Sequence, residues 1–393
     1  MRRDRAVTEA VRMVRFSEIR EDFDQDRLSC VEAARILGCS ERHFLRLRGR
    51  FAEEGLEGLR DRRVGRVSSR RVPDEEMEEV SRLYRDRYKG FSVRHFYEYA
   101  RRYHGLQWSY NWTRIALTRT GAVTPTKRGG PHRLRRPRRA MRGMMLHQDA
   151  SKHAWFGDQS CDLVVTLDDA TSEITSAFFC AEEGTNSSFR GLVETIAGRG
   201  LFCSLYTDRG SHYFHTPEAG GKVASERLTQ VGRALKQLGI THIAAYSPEA
   251  RGRSERMFGT LQDRLVNELR LEAISDMASA NRYLREVYLE RHNAQFAVQA
   301  QVEASAFTPV AGFDVADILC IQEERTVAGD NTVRYNNMRL QIPASDLRHH
   351  YVKAQVRVHH YPNDTLAIFY GPRRIGRYFA DGSVMQEEQK QAA

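Results

Sequence analysis

The 393-residue sequence contains no apolar run approaching the ~18–20 residues that a membrane span needs, so a membrane-embedded role is not expected. The N-terminus, MRRDRAVTEA, is basic, but no apolar stretch follows it, and it does not read as a secretory signal. Cysteine is scarce: Cys30, Cys39, Cys161, Cys180, Cys203 and Cys320 are scattered and form no CxxC pair. That argues against a zinc site or a disulfide framework and for a reducing cytoplasm. Acidic residues are outnumbered, 51 Asp and Glu against 61 Lys and Arg, for a net charge of +10. A basic excess of that size points to a polyanionic partner, nucleic acid first, and says nothing about fold.

With 41% hydrophobic and 28% charged residues the chain reads as soluble and globular. Its length suggests about two to four domains. In LSCVEAARILGCSERHFLRLRGRF, residues 28–51, Ala33, Ala34, Ile36 and Leu37 are helically spaced and Gly38 ends the helix. Ser40 suits the N-cap of a second helix, whose Phe44, Leu45 and Leu47 turn inward while Arg42, His43, Arg46, Arg48 and Arg50 turn mostly outward. Two short helices, the second basic, describe a helix-turn-helix; the alternative is a plain helical hairpin with a solvated face. A second such unit follows. DEEMEEVSRLYRDRY opens with acids suited to a helix N-terminus, a helix is expected near 93–103, and Ser109 precedes another over 110–119. Trp108 and Trp112 are expected in its core.

Residues 123–142, VTPTKRGGPHRLRRPRRAMR, carry Lys127, Arg128, Arg133, Arg135, Arg136, Arg138, Arg139 and Arg142 without one acid. Pro and Gly prevent a continuous helix, so this is a linker able to lie along a phosphate backbone. Beyond it, strands are expected at 144–149, 162–167, 174–180, 201–207 and 243–246. Helices are expected at 189–197, 225–238, 251–269 and 277–293, giving a mixed α/β sheet. From about residue 331, five short strands separated by turn residues suggest a small β-barrel. The expected organisation is thus multidomain. All-α helix-turn-helix units occupy 1–72 and 73–122, and the basic linker 123–142. An α/β core spans 143–312, a linker 313–330 and a small C-terminal β-barrel 331–382, with a disordered tail over 383–393.

Three carboxylates stand out. Asp149 and Asp208 end apolar strands, in MMLHQDAS and LFCSLYTDRGSH, and Glu255 lies on a helix in YSPEARGRSERMFGTLQDRL. Hard divalent cations are held by such oxygens, and a pair of them supports in-line displacement at phosphate. Asp168 and Asp169 fall in a hairpin turn and are assigned a structural role. His153, His212 and His215 are read as packing or DNA-contact residues, and Trp155 and Phe156 as core. Arg209, Arg251, Arg253 and Arg256 border the proposed site and suit phosphate.

The phrases HQDASKHAWF, VVTLDDATSEITSAFF, LYTDRGSHYF and YSPEARGRSERMFGTLQDRL, in this order, resemble the catalytic core of DDE transposases of bacterial insertion sequences. The resemblance is to the group catalogued as "not classified yet" (ISNCY), with a retroviral-integrase-like core. It runs over about residues 143–310, and the flanking layout suits the group as well. It implies a ribonuclease-H-like fold, with Asp149, Asp208 and Glu255 as the metal-binding catalytic triad for two Mg²⁺ ions, which Mn²⁺ can replace. Asp208 and Glu255 are separated by 46 residues, more than the resemblance implies, and Glu249 is the rival third carboxylate. The zinc module of retroviral integrases is absent; helix-turn-helix units occupy its place.

The implied activity is transposition. The helices bind the terminal inverted repeats, water frees a 3′-hydroxyl, and that hydroxyl attacks target DNA without a covalent enzyme intermediate. The implied partners are double-stranded DNA, both element ends and target, and further copies of the chain, acting in a prokaryotic cytoplasm at the nucleoid. No membrane or small-molecule substrate is implied. The competing readings are a non-catalytic DNA-binding remnant or repressor, and a structure-specific nuclease.

Overall fold

A computed structural model describes residues 2–60, 72–125, 136–157, 160–216, 221–224, 227–246, 252–345 and 348–385. The chain forms two compact units, Met1–Glu76 and Met77–Ala393. In the first, α1 (Arg2–Asp24), α2 (Cys30–Ile36) and α3 (Glu41–Glu54) enclose Phe16, Ile19, Ala33, Ala34 and Phe44. The α2–α3 pair is the expected helix-turn-helix. Ser29 caps α2 in a reciprocal box with Glu32, and Ser40 accepts the His43 amide at 3.3 Å to start α3. Between them Gly38 adopts φ +64°, open to glycine without strain. The long α1 was not anticipated. Its signal was the spacing of Phe16, Ile19 and Phe23, which puts two rings against Phe44 at 5.9 and 5.2 Å.

Three helices open the second unit: α4 (Asp74–Arg87), α5 (Val93–His104) and α6 (Tyr110–Arg119), with Ser92 and Ser109 capping the last two. Tyr84, Tyr88, Phe91 and Phe96 fill their core. Of the two tryptophans expected there, Trp112 packs half-buried against this cluster, and Trp108, half-buried, leans on Trp112 at 5.3 Å.

The central sheet has the order β3-β2-β1-β4-β5. Strands β1 (Leu146–His153), β2 (Cys161–Asp168) and β3 (Ile174–Cys180) are antiparallel; β4 (Ser204–Thr207) and β5 (Thr241–Ala244) run parallel to β1. This is the mixed sheet expected of the core. One face packs on α7 (Thr185–Arg199) and α8 (Gln230–Gln237) through Leu146, Leu192, Leu205 and Leu235. The other packs on α9 (Gly252–Leu271) through Leu163, Val165, Phe258 and Leu261. The final helix of the core runs as α10 (Met277–Tyr283), a π-helical turn (Leu284–Tyr288) and α11 (Leu289–Phe296).

Several boundaries shift from expectation. β1 runs on to His153 because it pairs with β2 along its whole length. α8 begins after Thr229, whose hydroxyl accepts the Gly232 amide at 3.1 Å. The stretch 313–330, expected as a linker, is built into the fold. Leu319 is buried in the α7–α8 core and β6 (Ile321–Thr326) pairs with β9 (Gln355–His360). Antiparallel β11-β10-β9-β6 follows, with β10 (Leu366–Tyr370) and β11 (Arg373–Tyr378), beside a hairpin of β7 (Thr332–Tyr335) and β8 (Met338–Gln341). Both share one core around Val333, Leu340, Val358 and Ile368. Of the expected tail, Val384 bridges Tyr378, and 386–393 lie outside the described residues. Among the described residues no helix is long and apolar enough to cross a membrane.

Helices α4–α6 dock on the C-terminal half of α9 through buried polar contacts. Ser92 donates to Asp263 at 2.8 Å and Arg264 to Glu98 at 2.7 Å. Glu268, 6% exposed, accepts from His95 at 3.1 Å, from Tyr283 at 2.9 Å and from Arg291. Removing one member of a buried charged set leaves the others uncompensated. Glu268→Gln is therefore expected to lower stability by about 3 kcal/mol. Urea unfolding with hydrogen exchange checks it, and the added exchange should concentrate in α5 and α10–α11.

Candidate active site

Side chains alternate across a strand, so His147, Asp149 and Ser151 share the face of the sheet covered by α9. Ser151 indeed meets Gln262 of α9 at 3.0 Å. In the parallel β1–β4 pair, Leu146 lies opposite Leu205 and His147 opposite Tyr206. Two residues further, Asp149 and Asp208 fall side by side on that same face. Asp208 follows the last residue of β4; Asp149 stands where β1 loses its parallel neighbour, inside the strand rather than at its end. Both line one small cleft, together with His147, Tyr206, Thr207 and Ser254 of α9. Asp149 is buried and accepts the Ala150 amide at 3.0 Å; Asp208 is half-buried and accepts the Gly210 amide at 2.9 Å.

The opposite face of β1 is held by a polar network. Ser188 donates to Tyr213 at 3.1 Å, and Tyr213 donates to the Gln148 carbonyl at 3.1 Å. The Gln148 amide donates to Thr166 and to the Ser188 carbonyl at 3.1 and 3.2 Å. Complete burial, and after it the nearby Glu183 carboxylate, push the Tyr213 hydroxyl well above its ordinary value, so it stays a donor. Helix α7 approaches this network closely at Gly191, where a Cβ would sit 2.6 Å from Gln148 Nε2. The strand bearing Asp149 is thereby fixed from behind.

Beside the cleft lies a feature the sequence reading assigned only to a turn. Asp168 and Asp169 are both buried. Asp168 accepts the amides of Thr171 and Gly143 at 2.9 and 2.8 Å, as a turn residue does. Asp169 gathers donors from three other parts of the chain: His147 Nε2 at 2.8 Å, the Arg139 amide at 2.7 Å, Arg253 Nε at 3.1 Å, and Arg136. Arg253 also donates to the Asp169 carbonyl at 2.8 Å and to that of Arg136 at 2.9 Å. Burial alone would raise the Asp169 carboxyl; the His147 and Arg139 donors and the Arg253 charge overcome it and hold it at about 2. Burial lowers Arg253 to about 10 against the pull of Asp169, which leaves it charged at neutral pH. The available signal was a matched spacing: His147 stands two residues before Asp149, and Arg253 two before Glu255.

The other expected residues are placed as follows. Glu255 sits on the first turn of α9, exposed, next to the buried Ser254 that lines the cleft. Among the described residues no three His, Cys, Asp or Glu side chains form a metal-holding group. Glu249 and Arg251, with Lys127, Arg128, Arg133 and Arg135, lie outside the described residues. Arg138 donates to the carbonyls of Asp169 and Ala170 at 3.0 and 3.2 Å, and Arg142 pairs with Glu173. Arg209 donates to the Gly221 carbonyl at 2.7 Å, and Arg256 is exposed. In α3, Arg42 and Arg46 are exposed, with Arg46 on His43 at 2.7 Å. Arg48 pairs with Asp24 at 2.9 Å and Arg50 donates to the Arg60 carbonyl at 3.0 Å. Trp155 is fully buried, and His153 and His212 pack on Trp155 and Tyr213.

Two carboxylates side by side repel, and a divalent cation between them offsets that; an all-oxygen donor pair is the kind that Mg²⁺ takes. Residues 24–79 match the winged helix-turn-helix family. The chain is 31% identical over 346 residues to transposase y4bF of Sinorhizobium fredii, covering 87% of this chain and 75% of that protein. It is 28% identical over 350 residues to the transposase for insertion sequence IS1202 of Streptococcus pneumoniae, covering 80% and 74%. Among solved structures it is similar to the catalytic core domain of HTLV-2 integrase in complex with magnesium, at 15% identity and TM-score 0.29, over 38% of this chain and 91% of that one.

A carboxyl held lower in the folded chain than in the unfolded one stabilises the fold above its unfolded pKa. For Asp169 that contribution, on the order of 2 kcal/mol, is complete above about pH 4 and disappears as pH falls toward 2. Acid titration followed by near-UV circular dichroism should show a shallower loss in that window for Asp169→Asn than for the parent chain.

Proposed function

The chain belongs to the transposases of insertion sequences, and from that premise we propose that Asp149, Asp208 and Glu255 carry its chemistry. The protein joins a DNA-binding helix-turn-helix to an integrase-like catalytic core. The observation that carries the site assignment is the β1–β4 register, which sets Asp149 beside Asp208 in a cleft under the start of α9. Within the family, the "not classified yet" group is our assignment, and the C-terminal sheets are read as a small closed barrel.

In this reading α3 enters the major groove at the terminal inverted repeats, with Arg42, His43 and Arg46 toward the DNA. Lys127, Arg128, Arg133 and Arg135 of the basic stretch contact the phosphate backbone. Asp149, Asp208 and Glu255 would hold Mg²⁺, two ions, with Mn²⁺ able to substitute. When bound, the metal supplies Lewis-acid stabilisation of the transferring phosphate and of the attacking oxygen. The chain's own part is placement. β1 and β4 position the two aspartates, and Glu255 would join them from the first turn of α9. Water first displaces a terminal 3′-oxygen from phosphorus, leaving a free 3′-hydroxyl and a 5′-phosphate. That hydroxyl then attacks a target phosphodiester, forming one P–O bond and releasing a target 3′-hydroxyl. Joining two ends requires at least two subunits on DNA, at the nucleoid.

Strand transfer of end-containing oligonucleotides with Mg²⁺ tests the assignment. Asp149→Ala and Asp208→Ala should each reduce transfer to background while end binding persists; wild-type transfer by either removes that residue. Glu255→Ala should match them and Glu249→Ala should not. For end binding, Arg42→Ala and Arg46→Ala should each lower the slope of log K against log salt by about one. Fluorescence anisotropy across a salt series reads that slope.

A further inference from the structure

We propose that Asp169 is a positioning residue for this reaction, holding the strand that bears Asp149 and the helix that bears Glu255 in one arrangement. The proposal rests on the triad reading above. His147 and Asp149 lie on the same face of β1, and the His147 ring is fixed by Asp169 at 2.8 Å. Arg253 lies on the first turn of α9, beside Ser254 of the cleft and two residues from Glu255. It grips Asp169 at both its carboxylate and its carbonyl, at 3.1 and 2.8 Å. Arg253 is 9% exposed and Asp169 wholly buried, so neither head group can swing away into water. The Arg139 amide, at 2.7 Å, and Arg136 add the end of the basic stretch to the same carboxylate.

The chemistry of the set argues for placement rather than for stability alone. A buried carboxylate with four donors has a defined direction for each, which an apolar contact lacks. Helix α9 is apolar along its inner face, and Phe258, Leu261 and Leu265 let it seat on the sheet. Apolar packing tolerates small rotations about the helix axis, and rotation carries Glu255 away from the aspartates. The fork of Arg253 on Asp169 fixes that rotation at the end where Glu255 stands. Groups that orient metal-holding residues typically change metal affinity or activity by about 10–100-fold when removed.

The test uses the full chain and three variants, Asp169→Asn, Arg253→Lys and, as reference, Asp149→Asn. Mn²⁺ affinity is measured without DNA by electron paramagnetic resonance. End binding and the rate of strand transfer are measured across a Mn²⁺ series. Asp169→Asn and Arg253→Lys should weaken Mn²⁺ binding about 10–100-fold and slow transfer at limiting Mn²⁺ in proportion. Raising Mn²⁺ should restore most of the rate, and end binding should stay at wild type. Asp149→Asn should show no such rescue. If Asp169→Asn lowers thermal stability while Mn²⁺ affinity and metal dependence stay at wild type, its role is structural and the proposal is overturned. If that variant fails to fold by near-UV circular dichroism, Arg253→Lys decides, because Asp169 keeps His147, Arg136 and the Arg139 amide. Wild-type metal dependence in Arg253→Lys overturns the proposal. Wild-type transfer and Mn²⁺ affinity in Asp149→Asn sinks the triad reading itself. An inactive Asp149→Asn beside wild-type behaviour of the other two sinks the positioning role alone.

Discussion

The buried carboxylate of Asp169 is the contact on which the catalytic half of the molecule depends. Moving such a charge out of water is costly, and the cost is offset only when every lone pair meets a donor of good geometry. Here the donors come from the segment before β1, from β1 and from the start of α9. Each of those could satisfy its own apolar surface in more than one way. Jointly they can satisfy this carboxylate in one. The turn between β2 and β3, which in a hairpin is usually the loosest part, thus becomes the point that three distant segments share.

Helix α9 carries this constraint along the molecule. At 20 residues it spans about 30 Å, with Arg253 at one end and Glu268 toward the other. Glu268 collects His95 of α5, and Tyr283 and Arg291 of the last core helix. Two buried carboxylate-centred clusters therefore set the same rod, one beside the cleft and one where α4–α6 dock. A rigid helix pinned at both ends transmits a displacement rather than absorbing it. The π-helical turn at Leu284–Tyr288 lies opposite the second cluster, where an extra residue per turn lets both Tyr283 and Arg291 face Glu268.

Local features were legible in the sequence. Ser40 and Ser109 announce helices because a capping hydroxyl acts on amides two or three residues away, and Ser29 and Ser92, not singled out in the sequence, cap two more. The apolar runs before Asp149 and Asp208 were readable for the same reason: their signals are local. That Asp149 and Asp208 belong to one site was implied by the family resemblance, while the parallel β1–β4 register that sets them side by side came from the structure. What was not legible depends on distant partners. Nothing near Asp169 in the sequence marks it as buried, because its donors lie more than 20 residues away on either side. The stretch 313–330 looks like a linker until the α7–α8 core that receives Leu319 exists. The long α1 was overlooked because its charged residues hide three aromatic and aliphatic anchors.

The same clusters change what the basic balance means. Net charge counts every arginine alike, but an arginine paired with a carboxylate contributes less to the field that DNA meets than one without such a partner. Arg253 and Arg136 share the single charge of Asp169, Arg142 and Arg199 that of Glu173, and Arg20 and Arg48 that of Asp24. Arg138 and Arg209 are turned onto backbone carbonyls. Arg42 and Arg46 are exposed; Arg256 is exposed as well, with its Nε on the Gly252 carbonyl at 2.8 Å. The attraction for phosphate is therefore weaker at the paired arginines than their number suggests. An arginine-rich segment read from sequence is a pool divided between two anions, the phosphates outside and the carboxylates within. Burial of Asp169 decides how that pool is divided around the cleft.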